Sequence, residues 1–161
     1  MGNADRIKVP IDADLFREAF GRDINYQDFA THDTYLDKET GNILWLWEND
    51  EDAMLDVGVP EHDNAALRRR IEASPNRYLK LPGRTHGEHH DVLREYLDSD
   101  WTDNVVERER VKSVYVGSIG KWMKTVDDEA TVNAFREFRE SRLLALGAEF
   151  LRENGIEPKW T

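Results

Sequence analysis

None of the 161 residues is a cysteine. Disulfides, thiolate catalysis and cysteine-ligated zinc are thereby excluded. No apolar run is long enough to form a membrane helix, so no membrane partner is expected. The first residues, Met1-Gly2-Asn3-Ala4-Asp5, lack the basic-then-apolar pattern of a signal peptide. Arg6 stands where a myristoylated Gly2 would prefer Ser or Thr. The cytoplasm is the expected compartment. Internal repeats and low-complexity linkers are absent as well, and the length suits one domain with a real core.

Charge is abundant and unevenly placed. Hydrophobic residues make up 39% of the chain and charged residues 34%, with a formal net charge of −11. Residues 1–66 hold 16 Asp and Glu against 5 Lys and Arg, whereas residues 67–161 hold 17 of each. The whole excess therefore lies in the first two-fifths of the sequence. Such a field repels nucleic acid and anionic membrane and draws in a basic protein surface. A surface charged for solubility accounts for the same excess.

Strand signals come early. Ile7-Lys8-Val9-Pro10-Ile11 alternates, with Pro10 pointing to an edge or a strand end. Asp12 opens a helix with Leu15, Phe16, Ala19 and Phe20 at helical spacing and Gly21 as its stop. Thr34–Leu36 and Ile43–Trp47 read as a hairpin whose turn lets Gly41 take positive φ. Its second strand is apolar on both faces, which calls for cover on both sides or a central place in the sheet. Residues 61–73 read as a helix with Ala65, Ala66 and Ile71 inward; the basic triplet Arg68-Arg69-Arg70 complements its C-terminal dipole. Arg77–Leu81 is a short strand.

Helices dominate later. Thr85 and Glu88 have capping-box spacing, and the helix they open carries His89, Val92, Leu93, Tyr96 and Leu97 on one side. Tyr115, Ile119, Trp122 and Val126 recur at helical intervals, so residues 103–126 are expected to form one helix, against the glycines and β-branched residues within it. The last helix runs from an Asp128 cap to Asn154-Gly155 and Pro158. Trp160, next to last, is placed to dock on the body or on another subunit. Early strands and late helices predict an α+β fold: a small, mainly antiparallel sheet in the N-terminal half, packed by helices that dominate the C-terminal half.

Three groups of residues could carry chemistry. On the last helix, Val132, Phe135, Leu143, Leu146 and Phe150 form a stripe with Arg139 in its middle. A buried guanidinium calls for a carboxylate or an anionic ligand; a structural ion pair or a snorkelling side chain explains it equally. His86, His89 and His90 sit at i, i+3 and i+4, a spacing that suits two zinc ligands, though H-E-x-x-H is absent and a solvated helix start fits too. Glu48, Asp50, Glu51 and Asp52 follow the apolar strand as an oxygen-rich cluster without EF-hand spacing; they form either a solvated loop or a patch for a basic partner. Gly117–Lys121 lacks P-loop spacing, no G-x-S-x-G elbow exists, and no cofactor is expected.

Five segments fall in a distinctive order: Ile7–Ile11 with its helix, Tyr35–Gly41 with its strand, Arg77–Pro82, Phe135-Arg136-Glu137-Phe138-Arg139, and the run to Gly155–Pro158. In that order they resemble a bacterial uncharacterised protein family, family 0158, over about residues 7–158. Val105–Lys121 departs from the pattern. The resemblance implies one intact domain; the family has no established activity, and no catalytic residue carries over from it. Two functions are expected. The first is a non-enzymatic acidic binding or regulatory module for a basic protein partner, of inhibitor, immunity or nucleic-acid-mimic type, with Glu48, Asp50, Glu51, Asp52 and Arg139 as binding residues. The second is a hydrolase or nuclease-like enzyme on an anionic substrate, with Arg139 as clamp and His86, His89, His90 or the acidic cluster holding a metal. Direct nucleic-acid binding through Arg68–Arg70 is disfavoured by the negative field.

Overall fold

A computed structural model describes residues 5–24, 32–47 and 64–161. Within them the chain forms β1 (Ile7–Ile11), α1 (Ala13–Phe20), β2 (His32–Asp37), β3 (Ile43–Trp47), α2 (Asn64–Ala73) and β4 (Tyr78–Leu81). These are followed by α3 (His86–Leu97), α4 (Val105–Ser113), α5 (Ile119–Val126), α6 (Glu129–Glu153) and β5 (Ile156–Trp160). The fold is α+β, with a small antiparallel sheet early and helices dominating later.

The antiparallel sheet has the order β3-β2-β4. Among the described strands the doubly apolar β3 is thus at an edge, and β2 is the central one. Cover, not centrality, answers its composition: Ile43 and Leu46 point to opposite faces and both are buried, and β3 lies against α1 and α2. An edge strand leaves backbone groups unpaired. Here the buried Asn64 side chain stands in for a next strand. Its Oδ1 accepts from Trp47 N at 2.8 Å and its Nδ2 donates to Trp47 O at 2.8 Å. Arg68 Nη2 donates to the same carbonyl at 3.1 Å. The inward face of α2 accordingly differs from expectation: Asn64 and Leu67 are buried, while Ala65 is exposed.

A second sheet joins the two ends of the described chain. β1 and β5 pair in parallel, Ile7 opposite Ile156 and Ile11 opposite Trp160. In a two-stranded sheet each strand has a free edge, so Pro10 and Pro158 are tolerated. The hairpin turn rides on β1. Gly41, at φ +81°, approaches the Pro10 carbonyl so closely that a Cβ there would collide with it. Trp160 docks on the body, with its ring centroid 5.3 Å from that of Phe16.

Two apolar clusters are linked by α6. The first gathers Val9, Ile11, Phe16, Phe20, Leu36 and Leu151. The second gathers Leu93, Tyr96, Val111, Trp122, Val132 and Phe135. Asp128 caps α6 by accepting from Ala130 N at 3.1 Å, and Gly155 at φ +78° follows the Asn154 C-cap. Leu15 of α1 departs from the apolar face expected of it and is exposed.

The single helix expected over 103–126 is two. α4 ends at Ser113, Gly117 takes φ +95°, and Ser118 caps α5 by accepting from Lys121 N at 3.2 Å. The glycine and the β-branched residues weigh against a continuous helix. The break frees Tyr115 to leave the helical stripe and turn toward α3.

Candidate functional site

The first turn of α3 is held from both sides. Thr85 Oγ1 accepts from Glu88 N at 3.1 Å, and Glu88 Oε1 accepts from Thr85 N at 3.2 Å, completing the capping box. Arg84 Nη1 adds a bond to Glu88 Oε2 at 2.7 Å. Such caps remove fraying from the turn that carries the histidines.

His86 and His90 converge on one face of this turn. Their Nε2 atoms are 2.8 Å apart and their ring centroids 4.3 Å. Each ring also has a polar neighbour at its far nitrogen. His86 Nδ1 lies 3.6 Å from Asp23 Oδ2, and His90 Nδ1 is hydrogen-bonded to the Tyr115 hydroxyl. Asp23 is positioned by a short bridge to Arg84: Ile24 N donates to Arg84 O at 3.0 Å and Arg84 N to Arg22 O at 2.6 Å. The row Asp23–His86–His90–Tyr115 thus joins the chain after α1, the start of α3 and the α4–α5 connection. His90 is buried, and that burial, with His86 and Arg94 nearby, pushes its pKa below the usual histidine value.

His89 points elsewhere. It lines a recess of about 360 Å³ with Asp14, Arg17, Gly21, Arg139 and Leu143. Its Nε2 is buried and makes no hydrogen bond to a described residue. Burial lowers its pKa, Arg139 lowers it further, and Asp23 opposes the shift. The expected histidine trio is therefore a pair plus one.

Arg139 is half-buried, its guanidinium 5.4 Å from the Phe135 ring centroid. Among the described residues no hydrogen bond or ion pair meets it. Burial lowers its pKa, with Arg136 adding to the effect and Glu140 opposing it. Its guanidinium stays beside the apolar stripe at Phe135, and the residue lines the recess. Arg139 and His89 share this recess; His86 and His90 do not line it. Among the described residues no three His, Asp or Glu side chains are grouped to hold a metal ion. Glu48, Asp50, Glu51 and Asp52 lie outside the described residues.

Family models, curated proteins and solved structures give no match to this chain. Its site rests on geometry alone. No described helix is long and apolar enough to cross a membrane. Two members of the histidine row escaped sequence reasoning. Asp23 and Tyr115 come from distant segments, and no spacing in the sequence ties either to the histidines. The i, i+4 pair itself was the available signal.

Proposed function

We propose that the protein is a non-enzymatic acidic module that engages a basic protein surface through residues 48–63. The observation carrying this reading is how the described acids are used. Asp37 pairs with Arg77 at 2.8 Å, Glu39 with Arg77 at 3.1 Å, Asp33 with Lys80 at 3.6 Å and Asp14 with Arg17 at 2.7 Å. Asp12 caps α1 by accepting from Leu15 N at 3.0 Å. Residues 48–63, in contrast, hold seven Asp and Glu and no Lys or Arg. Asn64 and Trp47, the residues on either side of that stretch, bond to each other. A run of seven acids with no basic residue within it favours a cationic partner by long-range attraction.

The test is salt-sensitive capture of a partner, comparing the native chain with a quadruple variant, Glu48→Lys, Asp50→Lys, Glu51→Lys and Asp52→Lys. The native chain is expected to retain the partner at low salt and release it as salt rises. Equal capture by the variant sinks the reading.

A second reading has one observation in its favour: Arg139 and His89 open into the same recess, as a hydrolase acting on an anionic substrate would need. Arg139→Met separates the two. Stability without ligand should stay level or rise by up to about 1 kcal/mol, because a half-buried unpaired guanidinium is removed. Protection of the native chain, and not of the variant, by phosphate or a phosphoester in thermal unfolding would favour the enzyme.

A further inference from the structure

We propose that His86 and His90 form a chelating site for a divalent transition-metal ion. Two imidazoles at i and i+4 on one helix face can bind a single ion without backbone movement. Their Nε2 atoms are 2.8 Å apart. Two metal–nitrogen bonds of about 2.1 Å place the nitrogens about 3.0 Å apart at the right angle of tetragonal copper or nickel and about 3.4 Å apart at the tetrahedral angle of zinc, a spacing that a small rotation of the exposed His86 ring supplies.

The outer contacts match this use. A ligating histidine usually passes its other N–H to a carboxylate, carbonyl or water, which fixes the tautomer and raises the basicity of the coordinating nitrogen. Asp23 Oδ2 stands at His86 Nδ1, and the Tyr115 oxygen at His90 Nδ1. A carboxylate can only accept, and from 3.6 Å the charge of Asp23 favours the His86 tautomer with its proton on Nδ1 and its lone pair on Nε2. Tyr115 can donate or accept. When it accepts from His90 Nδ1, both Nε2 lone pairs face the same point, and a cation there resolves their repulsion.

Access and charge agree. The His86 side chain is 65% exposed while His90 is buried, so one ligand is anchored and the other lies at the surface. Asp23 offsets the positive end of the α3 dipole, which otherwise opposes a cation. The described residues supply two ligands. Nitrogen ligation of this kind suits zinc, nickel or copper over magnesium or calcium. The pair shares no residue with 48–63, so this proposal and the acidic-partner reading fail independently.

The experiment uses the full chain without a His-tag. Calorimetric titration with Zn2+ is expected to show one equivalent bound. His86→Ala, at an exposed position, should fold normally by circular dichroism and bind at least about tenfold more weakly; Asp23→Asn, which removes only an outer contact, should lose about tenfold. Cu2+ added to the native chain gives a second readout without a variant: its electron paramagnetic resonance spectrum should carry the coupling of two imidazole nitrogens. Absence of stoichiometric Zn2+ binding, unchanged affinity in His86→Ala, or a copper spectrum without nitrogen coupling overturns the proposal.

Discussion

Asp37 and Arg77 meet in a two-point clasp. Arg77 Nε donates to Asp37 Oδ1 at 2.9 Å and Nη2 to Oδ2 at 2.8 Å. The pair locks the end of β2 to the residue that leads into β4. Asp37 is buried, and the guanidinium outweighs that burial, holding its carboxyl at about 2 against an ordinary 3.8. A carboxylate whose folded pKa is depressed contributes stability above its unfolded pKa and loses it as pH falls through the folded one. Stability should therefore decline between about pH 4 and about pH 2. The loss is at most about 2 kcal/mol, since Arg77 remains a third exposed. Arg77→Met should remove this acid-dependent slope. At neutral pH it should cost about 2–3 kcal/mol in urea unfolding, because Asp37 is left buried without its cation.

Two glycines should respond with opposite signs to the same substitution. In α6, a Cβ on Gly147 would run into the Phe16 ring, whose Cζ lies 2.9 Å from that point. Gly147→Ala should destabilise by about 1–3 kcal/mol from overpacking, despite the better helix propensity of alanine. In α5, a Cβ on Gly120 meets nothing within 4 Å. Gly120→Ala should stabilise by up to about 1 kcal/mol. Thermal unfolding of the two variants side by side checks both; a stabilised Gly147→Ala contradicts the packing described for α1 and α6.

Asn64 is expected to matter more than a polar residue at a helix start usually does. Asn64→Ala strips both bonds from the Trp47 backbone and leaves Arg68 as its remaining described partner. The cost should be about 1–3 kcal/mol. Amide exchange at Trp47 should quicken by more than global destabilisation explains. If Trp47 stays as protected as in the native chain, the Asn64 clasp is not what holds the edge of β3.

Legibility in the sequence followed the range of the interactions. Elements set by neighbours were readable: the Thr85–Glu88 box, the Asp128 cap, the Gly41 turn and the α+β order all depend on residues a few positions apart. Elements set by distant partners were not. Trp47 reads as core from its apolar strand, yet a side chain seventeen residues away closes its edge. β5 was invisible because its pairing partner is β1, and Pro158 reads locally as a helix stop. The 103–126 stripe was periodic, but Gly117 and Ser118 decided the break. At the site, helical spacing brought His86 and His90 together, while Asp23 and Tyr115 are placed by the fold alone. Arg139 was expected beside a carboxylate or an anionic ligand because its stripe is apolar; among the described residues its guanidinium meets the Phe135 ring instead.

The pairing of β1 with β5 has a consequence for the order of events at the ribosome. Among the described residues, Ile7 finds its hydrogen-bonding neighbours near Ile156. Translation proceeds at about 5–20 residues per second, so the first strand is exposed for on the order of ten seconds before its mate is made. During that interval Val9 and Ile11, fully sheltered at the end, have no strand beside them. The nascent chain is thus open to chaperones, or to a wrong neighbour, along β1 until β5 has been synthesised.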